Sequence, residues 1–135
     1  MLFIYIITLM LFTNLLMSQI AEKCFEKGVI KYNTFDYPET IWLLDSAVIL
    51  NPGYYETFNT HGFAKGYLQD YKDAIVDCYL TNEINPKFRI VYHNRGISKN
   101  NNVDRKRAFE NWNKALDMNI KDVKVLLGMF CRVDK

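Results

Sequence analysis

Two histidines and three cysteines are the side chains of this 135-residue sequence best suited to nucleophilic or metal chemistry. His61 and His93 have no histidine, cysteine or carboxylate three or four residues away, the step that places two ligands on one helical face. Cys24, Cys78 and Cys131 are odd in number and fit neither a CxxC nor a zinc spacing. Cys24 and Cys78 read as small core residues. There is no GxSxG, HExxH or phosphate-cradling glycine loop. Asp70, Asp73 and Asp77 read as a solvated outer face, because Asp73 and Asp77 form a like-charge pair one helical turn apart. The expectation is a chain with no catalytic residue, no metal and no cofactor.

The elements that carry these residues repeat. Gly28, Gly62 and Gly96 stand 34 residues apart. Asp36-Tyr37 returns as Asp70-Tyr71, and Asn51-Pro52 as Asn85-Pro86. Ala74 returns as Ala108, with Thr40 in the same slot of the first unit; Ala47 is matched by Thr81 and then Ala115. A fixed period of this length marks a stacked array of helical pairs, each burying its apolar face on its neighbour. Within the first unit the spacing predicts a helix over 21–33, a turn at Asn33-Thr34-Phe35-Asp36, and a second helix from Tyr37-Pro38 to the stop at Asn51-Pro52-Gly53. The second unit predicts helices over 55–68 and 71–84. The third predicts 89–99, a polar loop at Asn100-Asn101-Asn102, and 105–118. Residues 122–132 form one last helix, with Val123, Leu126, Leu127 and Phe130 on one side, which covers the apolar end of the stack.

Glycine at the same place in each unit means that two helices cross too closely for a side chain. Tyr37, Tyr71, Phe58, Tyr92 and Trp112 fill the space around that crossing. Ala47, Ala74, Ala108 and Ala115 keep the second helices close, and Pro52 and Pro86 end the first two units. Three units in register resemble the tetratricopeptide repeat family over residues 21–120. The resemblance implies an all-α, right-handed α-solenoid of three helical hairpins, about 21–54, 55–88 and 89–122, with a capping helix and tail over 121–135. Two departures are Cys24 where an early aromatic is usual, and Arg105 where a tyrosine opens the second helix.

Residues 1–18 carry no charged side chain, too apolar a stretch for a solvated helix. They match either the apolar region of a secretory signal or a short membrane anchor, although a basic start is missing. Leu15-Leu16-Met17-Ser18-Gln19 resembles the leader ends of secreted Bacteroidota proteins, and the repeats resemble small exported proteins of that group. The expectation is cleavage after Gln19 and export to the periplasm or medium, with anchoring through residues 1–18 as the alternative.

In the tetratricopeptide family the first helices line a concave groove, which implies a protein or peptide partner rather than a small-molecule substrate. By register the groove positions are Glu22, Phe25, Val29, Glu56, Asn59, Phe63, Tyr67, His93 and Asn94, with Ile97 deeper. Phe63 and Tyr67 share a helical face and either meet a partner or pack on the neighbouring unit. Some family members grip a C-terminal carboxylate with Lys, Asn and Arg; here only Asn94 and Lys124 fit, so that clamp is not expected. His61, beside Gly62, reads as half-buried packing.

Charge is uneven: 5 Lys/Arg against 10 Asp/Glu up to Pro86, then 12 against 5. The basic run Arg105-Lys106-Arg107 has no counterpart in the other units, which argues against nucleic-acid binding. The sequence thus reads as a non-catalytic interaction scaffold. A structural module that associates with itself through its end faces is the alternative.

Overall fold

A computed structural model describes the backbone of residues 1–133 and the side chains of residues 1–129. Among the described residues seven helices follow one another: α1 Leu2–Asn33, α2 Tyr37–Leu50, α3 Tyr55–Tyr67, α4 Tyr71–Ile84, α5 Ile90–Asn101, α6 Arg105–Asp117 and α7 Val123–Val133. They form three antiparallel hairpins, α1–α2, α3–α4 and α5–α6, stacked as a right-handed α-solenoid, with α7 closing the end. The side chains of Phe130 and Cys131, placed by the sequence in the closing helix and tail, lie outside the described residues.

The hairpin turn is built three times with the same parts. Phe35, Gln69 and Val103 take positive φ of 62°, 66° and 63°, one repeat apart. This left-handed residue lets the next amide turn back onto the preceding helix: Asp36, Asp70 and Asp104 donate their N–H to the carbonyls of Lys31, Lys65 and Lys99 at 2.8–3.0 Å. Each aspartate then caps the following helix, accepting with its carboxylate from the N–H of Glu39, Asp73 or Arg107. One residue therefore closes one helix and opens the next. The third turn lies later than the polar run suggests, since Asn100 and Asn101 are still helical and Val103 makes the reversal.

The hairpins close on their glycines. A Cβ on Gly28 would come 2.7 Å from Leu44 Cδ2, and one on Gly62 would come 3.0 Å from Asp77 Cβ and 3.2 Å from the Ala74 carbonyl oxygen. At Gly96 it would run into the Trp112 indole. Ala47, Ala74, Ala108 and Ala115 are buried, whereas Pro52 and Pro86 are exposed where their helices have ended. Trp112, Ala108, Ala115 and Val123 form the core beneath the closing helix, with Leu126 and Leu127 packed on it.

α1 differs from the expected plan. The apolar leader and the first helix of unit one are a single 32-residue helix. It is long and apolar enough to cross a membrane, and no residue before Ala21 is buried. The stretch before Ala21 is about 28 Å long at 1.5 Å per residue, close to the apolar thickness of a bilayer.

Candidate peptide-binding groove

α3 and α5 lie side by side and leave a cavity of about 340 Å³ between them, open along the concave face. Asn59, Phe63 and Tyr67 enter from α3, and Asn94, Ile97 and Asn101 from α5. Its deep edge reaches Cys78 of α4. Two glycines give the cavity its depth: Gly62, where the hairpin closes, and Gly66, where an added Cβ would meet nothing within 4 Å.

The amides of Asn94 and Asn59 are joined, Asn94 Nδ2 donating to Asn59 Oδ1 at 3.1 Å. Asn94 also interacts with the His93 side chain, so what the pair keeps for a peptide main chain is the N–H of Asn59 Nδ2, a donor that a carbonyl can answer. Asn94 is buried and Asn59 half-buried, so the orientation of the pair is fixed by packing.

The aromatic residues pack on the neighbouring unit and also keep a free face. Phe63 meets Tyr32 at 6.2 Å between ring centroids. Tyr67 stacks on Tyr37 at 4.6 Å with planes 2° apart, yet remains 59% exposed. Burial first, then the neighbouring Tyr67, pushes the Tyr32 phenol up to about 12. These rings are a fixed wall. Of the remaining sequence-predicted positions, Phe25 stands edge-to-face on Tyr54 at 5.0 Å, while Val29 and Glu56 are half-buried. None of these three, nor His93, lines the cavity. His93 is half-buried and its pKa is lowered by that burial. Ile97, expected deeper, lines the cavity and is 36% exposed.

Two readings of the charged residues need correction. Asp77 does not belong to a solvated face: it is buried, with Oδ2 3.3 Å from Lys65 Nζ and 3.2 Å from His61 Nδ1. His61 is buried rather than half-buried, and its Nε2 lies 3.3 Å from Asp45 Oδ1 of the preceding unit. Despite these distances, His61 Nδ1, His61 Nε2 and Asp77 Oδ2 do not meet hydrogen-bond geometry. Lys99 repeats the theme in unit three, buried with Nζ 4.0 Å from Asp104 and 5.4 Å from the Tyr79 ring centre. The signal was present in the sequence, because Lys31, Lys65 and Lys99 keep the 34-residue step. Among the described residues no group of three His, Cys, Asp or Glu side chains is arranged to hold a metal ion.

This architecture is the tetratricopeptide-type solenoid. No family model and no curated protein matches the chain by sequence. Among solved structures, the first TPR domain of Spaghetti (RPAP3), bound to the HSP90 peptide SRMEEVD, superposes with a TM-score of 0.81 at 20% identity, over 86% of this chain and 94% of that one. The Arabidopsis OM64 TPR domain gives 0.81 at 23%, over 84% and 95%. The TPR2B domain of yeast Sti1, in complex with pHsp70, gives 0.78 at 18%, over 82% and 94%.

Proposed function

We propose that this chain is a non-catalytic scaffold that holds an extended segment of a protein or peptide along its concave face. The observation that carries this reading is the α3–α5 cavity, in which a rigid aromatic wall stands beside the paired amides of Asn59 and Asn94. Phe63, Tyr67 and Ile97 would take an apolar side chain of the partner, and the Asn59 amide its main chain. Phe25, Val29, Glu56 and His93 would extend the contact toward both ends of the groove. The RPAP3 domain of the same fold holds a peptide and the Sti1 domain a pHsp70 partner, which supports the general mode without naming a partner for this chain.

The scaffold works outside the cytoplasm in this reading. Residues 1–19 act as an export leader cleaved after Gln19, and their loss would take nothing from the core, since burial begins at Ala21. A retained leader would instead tether the first hairpin directly to the membrane, with α1 as one unbroken rod. The resemblance to exported Bacteroidota proteins belongs to the same reading.

The test is selection of nine-residue peptides on the full chain in a nonionic detergent, followed by affinity measurement with Asn59→Ala. That variant should bind the selected peptide about tenfold more weakly, as loss of a hydrogen-bonding pair predicts. Selected peptides that bind Asn59→Ala and the parent chain alike would remove the groove assignment.

A further inference from the structure

The 34-residue step lets one stretch of the groove be compared with the next. Between α1 and α3 the groove is filled by the chain itself. Tyr32 of α1 sets its ring beside those of Tyr37, Phe63 and Tyr67, with centroid distances of 5.8, 6.2 and 6.2 Å. Its hydroxyl interacts with that of Tyr67.

One repeat further, between α3 and α5, the same setting recurs without its ring. Gly66 stands one repeat after Tyr32. The counterparts of Tyr37, Phe63 and Tyr67 are Tyr71, Ile97 and Asn101, and all three line the α3–α5 cavity together with Gly66. A Cβ on Gly66 would meet nothing within 4 Å, so the place that the Tyr32 side chain takes in the first unit is open in the second. The cavity, about 340 Å³, is more than twice the roughly 150 Å³ that houses a benzene ring.

Two polar changes accompany the loss of the ring. Asn101 stands in the slot of Tyr67 and offers a carboxamide that can donate or accept. Ser98 stands in the slot of fully buried Ala64, is itself 7% exposed, and lines the cavity. Its hydroxyl has no hydrogen-bond partner among the described residues. A leucine would fill less of this space, and a phenylalanine would leave both polar groups unanswered. A phenol satisfies the shape and the chemistry together.

We propose that the partner presents a tyrosine, whose ring enters the α3–α5 cavity in the place that Tyr32 fills between α1 and α3, its hydroxyl answering Asn101 or Ser98. The inference rests on the groove reading above and names the side chain that the groove selects.

The experiment compares random nonapeptide pools with a fixed central Tyr, Phe, Leu or Ala on the full chain in nonionic detergent. The Tyr pool should be retained at least about tenfold more than the Leu pool and roughly fivefold more than the Phe pool. S98A/N101L should erase the preference for Tyr over Phe and keep that of both rings over Leu. Gly66→Tyr supplies the ring from within, so it should melt above Gly66→Ala and release the Tyr pool. Retention of the Phe, Leu or Ala pool at the level of Tyr, lost in Gly66→Leu, overturns the tyrosine assignment and leaves the groove standing. Retention of no pool overturns both. A preference for Tyr over Phe that survives S98A/N101L, a Tyr pool still held by Gly66→Tyr, or a Gly66→Tyr chain that melts below Gly66→Ala also overturns the assignment.

Discussion

Trp112 Nε1 donates to the His93 carbonyl oxygen at 3.3 Å, and Gly96 is the gap through which the indole reaches it. A side chain at 96 and the indole cannot share that space. The three repeat glycines are consequently unequal, because each faces something different on the second helix. Gly96→Ala should destabilise the chain most, by about 2–3 kcal/mol or more, through displacement of a fully buried tryptophan. Gly62→Ala meets the Asp77 Cβ and a backbone carbonyl and should cost about 1–2 kcal/mol. Thermal unfolding followed by circular dichroism checks the order, which equal losses would contradict.

A valine in the left-handed region is the weakest point of the third turn. Val103 has φ of 63° and is 84% exposed, so its branched side chain gains little burial to offset the conformational cost. Val103→Gly should raise stability by about 1 kcal/mol, despite the larger chain entropy of glycine, and lift the melting temperature by a few degrees. Gln69→Gly, where the residue is unbranched, should gain less. A fall in melting temperature for Val103→Gly would show that the turn is not strained.

The stack was legible in the sequence because its period is carried by residues with steric reasons to recur: the glycines at the crossings and the aspartates at the turns. What escaped was pairing between helices. Asp77 looks solvated when only Asp73 is considered, one turn away on its own helix; its partners Lys65 and His61 come from α3. The left-handed turn residues escaped because Phe35, Gln69 and Val103 are not the glycine or asparagine that usually marks such a conformation. The groove was partly legible. Asn59 and Asn94 are one repeat plus one residue apart, a step that brings neighbouring first helices together, whereas the depth of the cavity depends on Gly66, which the repeat pattern does not single out. Continuity of α1 through the leader was not foreseen either, since apolar composition fixes no boundary at Gln19.

Cys78 links the core to alkaline stability. Burial pushes its thiol up to about 12, with Arg95 and Lys99 opposing the shift only in part. The folded chain therefore favours the protonated thiol, while the unfolded chain releases its proton near 9. The contribution is fully present below pH 9 and is lost as pH rises toward 12, at up to about 1.4 kcal/mol per pH unit. Cys78→Ala should flatten this alkaline limb in denaturant titrations. At pH 8 the thiol of the folded chain should resist alkylation while half-buried Cys24 reacts first; faster labelling of Cys78 would contradict its burial.

Filling the cavity between α3 and α5 tests the groove most directly. Gly66 lines it and has free space where a Cβ would stand, so Gly66→Leu starts from an unobstructed Cβ and extends its side chain toward the cavity. Replacing a helical glycine should leave the melting temperature unchanged or raise it, by roughly 0.5–1 kcal/mol of stability. The measurement is the affinity of a selected peptide for Gly66→Leu and for the parent chain, alongside both melting curves. The account predicts at least about a tenfold loss of affinity in a chain that is no less stable. Unchanged affinity in a stably folded Gly66→Leu would place the partner elsewhere on the molecule.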